Sequence, residues 1–307
     1  MSLSRKQSID ERYQICGKGL LVFVNNQFFG EKSVEEAKTE ASYRFGSEKD
    51  SLRIYQALAS FDIDMEEENF QTNLTAQEIR DFIETVKRKV SDGSYGFMIF
   101  LLSSHGDENY IIGRDEEEIM IYEEVIKPFH NNQLPGLAGK PKIFIINACR
   151  GSYSPRCNVK ENEASFEVKT TEEPNAAADQ IISMGQRRQS KMVSTVGDYC
   201  VVYSTAPDVV SPRDQEDGSF FLNELRNCIK KMARKEEVKE FKRIVEDVQK
   251  RCMQKHKLCV GFENYLPWDF YLPLKEIRKF KNIIIHLQSH IKHYPLEIIR
   301  KYVFECI

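Results

Sequence analysis

The sequence predicts an α/β fold, a mostly parallel β-sheet with helices on both faces. Three observations carry this expectation. Short apolar runs recur at residues 19–24, 97–102 and 142–147, and strands buried on both faces read as continuous apolar runs. Between them lie segments with apolar residues at helical spacing, clearest at Ile79, Phe82, Ile83, Val86 and Val90. Strand and helix signals alternate, as crossover connections between parallel strands require.

The elements follow in order. Residues 19–24 form a buried strand that ends in Asn25 and Asn26. Ser47 followed by Asp50 reads as a capped helix start, with helix continuing to about Phe61. Thr75 and Glu78 make a stronger capping box, and Asp92-Gly93 closes that helix. The strand at 97–102 runs into Ser103, Ser104, His105 and Gly106. A hairpin pairs 110–112 with 119–122, and a helix is expected over 123–130. The strand at 142–147 ends at Ala148 and Cys149. From about 152 to 195 the apolar periodicity disappears, which marks a long linker. Strand signal resumes at 200–203. Phe221, Leu225, Cys228, Ile229 and Met232 share one helix face, and Val238, Phe241, Val245, Val248 and Cys252 another. A last strand is expected near 270–272. Residues 275–307 form a basic amphipathic segment broken at Pro295.

Composition narrows the function classes. Of 307 residues, 41% are hydrophobic and 30% charged, as in a folded chain rather than a disordered one. A net charge of -3 argues against nucleic acid or an anionic membrane as partner. No apolar run approaches the ~20 residues of a membrane span, and the polar start shows no secretory signal. The eight cysteines include no CxxC pair, so free thiols in a reducing compartment are expected. The expected location is the cytoplasm, with the nucleus as a second site.

The chemistry gathers at strand ends, where α/β sheets place their sites. One strand leads to His105-Gly106 and another to Cys149. Neighbouring strands of this kind would set an imidazole beside a thiol, which raises the thiolate fraction and supplies an acid for a leaving amine. The Gly106 and Cys149 backbones would offer donors to an oxyanion, and glycine lets substrate approach closely. A lone histidine or cysteine is most often structural; the pairing is what carries the reading.

Asn147-Ala148-Cys149-Arg150-Gly151, with Ser104-His105-Gly106 upstream, resembles the caspase family. Tyr43-Arg44-Phe45-Gly46 with Asp50, Lys140-Pro141-Lys142, residues 203–207, Ser211-Pro212-Arg213, residues 217–220 and residues 270–272 follow in that family's order. The resemblance covers roughly 15–273 and implies a three-layer sandwich around a six-stranded sheet. It implies Cys149 as nucleophile, His105 as acid/base and Gly106 in the oxyanion hole. Arg44 and Arg213 would line a pocket for the substrate aspartate, joined by Asn147, where the family usually has glutamine. Val210, Pro212 and Phe220 would border outer subsites, with Pro212 where a tryptophan is usual. Two guanidinium forks on one carboxylate give charge-assisted bonds and are expected to stay charged at any working pH.

The resemblance also implies a zymogen with a short propeptide (1–14), a large subunit (about 15–179), a small subunit (about 180–273) and an appended extension (274–307). The start near residue 15 leaves no room for a recruitment domain upstream, as in effector- or differentiation-type members. Asp179, the one aspartate between Gly151 and Gly197, is the expected maturation cut, and Asp10 a second candidate. The expected partners are protein substrates with aspartate at the cut, a second copy in a homodimer, and an upstream activating protease. No cofactor is expected. Cys252, His256 and Cys259 lack a fourth metal ligand, and His286, His290 and His293 in the tail are likewise not read as a metal site. The function expected is an aspartate-specific cysteine endopeptidase of cell death or differentiation. The alternative is a weak or inactive relative that regulates an active caspase. A preference for basic residues would need an acidic pocket, and arginines stand there instead.

Overall fold

Alternating side chains on buried strands must find apolar cover on both sheet faces, and that requirement organises this chain. The computed structural model describes residues 12–30, 33–39, 43–153, 194–234 and 239–275. Its strands are β1 (Gly19–Asn25), β2 (Ile63–Asp64), β3 (Phe70–Thr72), β4 (Phe97–Ser103), β5 (Tyr110–Ile112), β6 (Glu118–Met120), β7 (Lys142–Asn147), β8 (Tyr199–Tyr203), β9 (Arg213–Asp214), β10 (Gly218–Ser219) and β11 (Gly261–Tyr265). Its α-helices are α1 (Val34–Ala37), α2 (Ser47–Leu58), α3 (Ala76–Val90), α4 (Phe220–Arg234) and α5 (Phe241–His256).

The main sheet runs β11-β8-β7-β4-β1-β2, with β3 also on β1. Strand β2 meets the start of β1 and β3 meets its end, so together they fill one edge position. All pairs are parallel except β11 on β8. Leu21 and Phe23 of β1, with Ile143 and Ile145 of β7, pack under α2, α4 and α5. Leu20, Val22 and Val24, with Phe144 and Ile146, pack under α3 and the β5–β6 hairpin. This is the expected three-layer sandwich. Thr75 and Glu78 form the expected capping box on α3.

Four expectations are corrected or fall outside the description. Ser47 does not cap α2; Gly46 does, at φ 74 and without a side-chain bond, because Asp50 is committed elsewhere. Residues 123–130 do not form an α-helix. A π-helical turn (Ile121–Ile126) passes into a 3-10 turn (Lys127–Phe129), where Pro128 has no N–H to continue an α ladder. The last strand is β11, not 270–272. Phe270 and Leu272 are buried core, and between them Tyr271 makes only an isolated bridge to Glu240. At the ends of the expected linker, Tyr153 pairs with Val209 and Asn132 N–H donates to Thr195 O. Residues 154–193, Val238 and 276–307 lie outside the described residues.

At the opposite end of the sheet from the strand tips, Lys142 opens β7 fully buried. Its Nζ donates to Asn131 Oδ1 (2.8 Å), Lys140 O (3.0 Å) and Leu137 O (3.2 Å). Asn131 also donates to Asp198 Oδ2 (2.7 Å), and Tyr13 donates to Asp198 Oδ1 (2.6 Å). Burial pulls the Lys142 ammonium down to about 8 from 10.5, with Asp198 opposing. Between those values the unfolded chain binds more protons than the folded one, so this group's contribution to stability rises with pH. In urea unfolding, the gap between wild type and Lys142→Met should move in favour of wild type by roughly 2–3 kcal/mol from pH 8 to 10.5. A gap that stays constant over that range would show that Lys142 is not desolvated.

Candidate active site

Strands β4 and β7 are hydrogen-bonded neighbours, with Ser103 opposite Asn147. Two residues beyond each partner stand His105 and Cys149, at adjacent strand ends. Both line one pocket together with Arg44, Arg213, Asn147 and Ser219. The pairing of imidazole and thiol expected from the sequence is therefore a matter of strand register.

Each reactive residue is held from its own side. Ser104 N–H extends the ladder to Asn147 O (3.3 Å). Ser104 Oγ donates to Ile112 O (2.7 Å), and Ile112 N–H donates to His105 O (3.0 Å). The β5–β6 hairpin thus pins the His105 segment. The imidazole lies 4.7 Å from the buried Phe29 ring, tilted by 43°. Ser204 Oγ donates to Ala148 O (3.0 Å), directly before Cys149. Arg150 N–H donates to Val209 O (3.0 Å), and Ser211 N–H points at Cys149 Sγ (3.3 Å). Gly106 has a structural reason to be glycine beyond substrate access: a Cβ there would collide with Tyr110 O.

The arginines sit in a charge arrangement that sequence reasoning did not contain. Arg44 is 4% exposed, and its Nη1 donates to Asn26 O (2.5 Å) while Nη2 donates to Ser103 Oγ (2.9 Å). Arg213 Nε donates to Phe45 O (3.0 Å) and Nη2 to Asp50 Oδ2 (3.1 Å). Asp50 is 1% exposed and also accepts from Ser219 N–H (3.0 Å). Burial pushes the Asp50 carboxyl up, while Arg213 and the Ser219 N–H pull it back. Burial, then the neighbouring Arg213, brings Arg44 down to about 9, and burial also lowers Arg213. The expectation of charge at any working pH therefore narrows for Arg44 to pH below about 9. At neutral pH the Arg44 and Arg213 guanidinium groups share the Asp50 carboxylate, and Glu48 acts on Arg213 as a further anion.

Glycine permits this closeness. Gly46 and Gly218 both have φ 74; a Cβ on Gly46 would meet Gly218 N at 2.6 Å, and one on Gly218 would strike Asp50 Oδ1. The Arg44 loop and the Arg213 loop touch across these two residues.

Val210, Pro212 and Phe220 do not line this pocket. The Phe220 ring stacks on His256 of α5 at 4.4 Å and 7°, and Val210 N–H donates to Tyr153 O (2.9 Å). Cys252 is buried in the core and Cys259 exposed; among the described residues no group of three His, Cys, Asp or Glu side chains could hold a metal. Asp10, Asp179 and the tail histidines lie outside the described residues. Sequence reasoning missed Ser103, Ser211, Ser219 and the counter-ion role of Asp50. Ser219 alone carried a signal, a serine directly before a helical apolar pattern.

A family model described as the Caspase domain (Peptidase_C14) matches residues 18–268. Caspase-4 of Mus musculus is 29% identical over 203 residues, covering 62% of this chain and 50% of that protein. Caspase-3 of Mesocricetus auratus is 26% identical over 247 residues, 80% of this chain and 74% of that protein. Caspase-3 of Bos taurus is 26% identical over 233 residues, 75% and 73%. The chain thus spans half the length of the first of these relatives. Among the described residues no helix is long and apolar enough to cross a membrane.

Removing Asp50 would leave the buried Arg44 and the part-buried Arg213 guanidinium groups without their carboxylate. Asp50→Ala should lower unfolding free energy by roughly 3–5 kcal/mol, read from urea denaturation. Asp50→Ala/Arg213→Met should recover part of that loss. A double variant no more stable than the single would remove charge repulsion as the cause.

Proposed function

The chain belongs to the caspase family of cysteine peptidases, and we propose that it is an endopeptidase that cuts after aspartate. The observation that carries the reading is the β4–β7 register, which opens His105 and Cys149 into the same pocket as Arg44 and Arg213. The substrate aspartate enters that pocket and its carboxylate adds a counter-charge to the two guanidinium groups. His105 takes the Cys149 proton, and the thiolate attacks the carbonyl carbon that follows the aspartate side chain. The N–H groups of Gly106 and Cys149 receive the developing oxyanion. His105 then protonates the leaving amine, and water hydrolyses the thioester.

The site residues divide between two stretches of chain. Arg44, His105, Asn147 and Cys149 precede residues 154–193; Ser211, Arg213 and Ser219 follow them. A maturation cut after Asp179, with Asp10 as a trimming site, fits that division and gives a large and a small subunit. A homodimer, an upstream activating protease and a role in cell death or differentiation belong to the same reading. Strand β11 lies at the sheet edge with β8 on one side only, an open ladder of the kind that accepts a second chain.

The test is turnover of peptides ending in Asp, Glu, Asn or Arg before a fluorogenic group. Cleavage after Asp should exceed cleavage after Asn by about 10⁴-fold in kcat/KM, and Cys149→Ala should abolish it. No turnover on any peptide would make the chain a regulator of an active relative instead. Mass spectrometry of active protein should show the 179–180 bond cut, and Asp179→Ala should block activation; an intact bond in active enzyme rules the maturation site out.

A further inference from the structure

Asn147 stands where the family usually has a glutamine that helps hold the substrate aspartate. Here the residue is 2% exposed, and both ends of its amide are engaged within the protein. Its Nδ2 donates to Ser103 Oγ (2.8 Å), and its Oδ1 accepts from Ser219 Oγ (2.9 Å). Each serine leads to one arginine, Ser103 through its hydroxyl and Ser219 through its backbone N–H, while the Ser219 hydroxyl also accepts from Leu222 N–H (3.3 Å) in the first turn of α4. Ser103 Oγ also accepts from Arg44 Nη2 (2.9 Å). Ser219 N–H donates to Asp50, whose Oδ2 accepts from Arg213 Nη2 (3.1 Å). Both serines are buried at 1% and 2% exposure. Either orientation of the amide closes the chain of bonds, because hydroxyls donate or accept.

We propose that Asn147 is a positioning residue: it sets the spacing of Arg44 and Arg213 through Ser103 and Ser219, and does not itself hold the substrate carboxylate. The inference rests on reading the pocket as an aspartate site. It accounts for how a shorter amide serves there. The gap between the two hydroxyls is spanned by asparagine at 2.8 and 2.9 Å, and a longer side chain would have to shift one of those bonds. The shorter side chain ties the two cationic loops together, and recognition falls to the guanidinium groups, which carry more donors than their internal bonds use.

The test compares Asn147→Ala, Asn147→Gln, Ser219→Ala and Asn147→Ala/Ser219→Ala in the activated full chain. Two readouts are taken: kcat and KM on an Asp-ending fluorogenic peptide, and the Kd of an Asp-ending product peptide by calorimetry in a Cys149→Ala background. Asn147→Ala and Ser219→Ala should each raise KM and Kd roughly 10–50-fold with kcat within about threefold. The double variant should lie within about threefold of the weaker single, because both act through one chain of bonds. Asn147→Gln should also weaken binding. A higher kcat/KM in Asn147→Gln would overturn the proposal, since it would show an amide needed at the substrate. So would additive effects, or a lower Tm with KM and Kd unchanged. A wild type that binds product peptide without turnover would defeat the protease reading alone, and Kd then decides the role of Asn147. A wild type that binds no such peptide defeats both.

Discussion

Placing the buried Arg44 guanidinium near the largely covered Arg213 is unfavourable twice over, through lost hydration and mutual repulsion. The Asp50 carboxylate is what makes the arrangement tolerable here. It bonds Arg213 directly, lies near Arg44, and accepts the Ser219 N–H where α4 begins. Three parts of the fold therefore meet on one anion: the first turn of α2, the β9–β10 hairpin and the start of α4. Much else follows from keeping that anion in place, including two glycines in left-handed conformation and a helix that opens without a side-chain cap.

In the proposed reading, selectivity rests on charge more than on shape. Two guanidinium groups share the Asp50 carboxylate, and on that proposal a substrate carboxylate adds a favourable counter-charge that an amide would not. Of the residues expected to border outer subsites, none lines the pocket of Cys149. Phe220 spends its ring on His256, on the helix side of the chain. Pro212 sits between Ser211 and Arg213, both of which do line the pocket.

Strands β4 and β7 were legible because burial on both faces writes a continuous apolar run into the sequence. The Thr75–Glu78 box was legible because its two bonds require those residue types at that spacing. Strand β11 was not, since it is a half-exposed edge containing Gly261, Glu263 and Asn264, without alternation or an apolar run. Asp50 misled the reading: an acid three residues after Ser47 imitates a capping box, while its real partners come from far along the chain. His105 and Cys149 could be paired only by assuming adjacent strands; the register that opposes Ser103 to Asn147 supplies what residue order cannot. The serines of the pocket floor carry no distinguishing pattern, apart from Ser219 at its helix start.

Strands β7 and β8 are paired over five residues, yet in sequence β7 ends at Asn147 and β8 begins only at Tyr199. Cys149 precedes that stretch of sequence and Arg213 follows it. Neither side alone carries all the residues that line the pocket. Two separately made polypeptides, one carrying β7 and the other β8, would each lack part of the pocket and would bring it together by pairing β7 with β8. Possession of the pocket is thus a property of the sheet, not of an unbroken backbone.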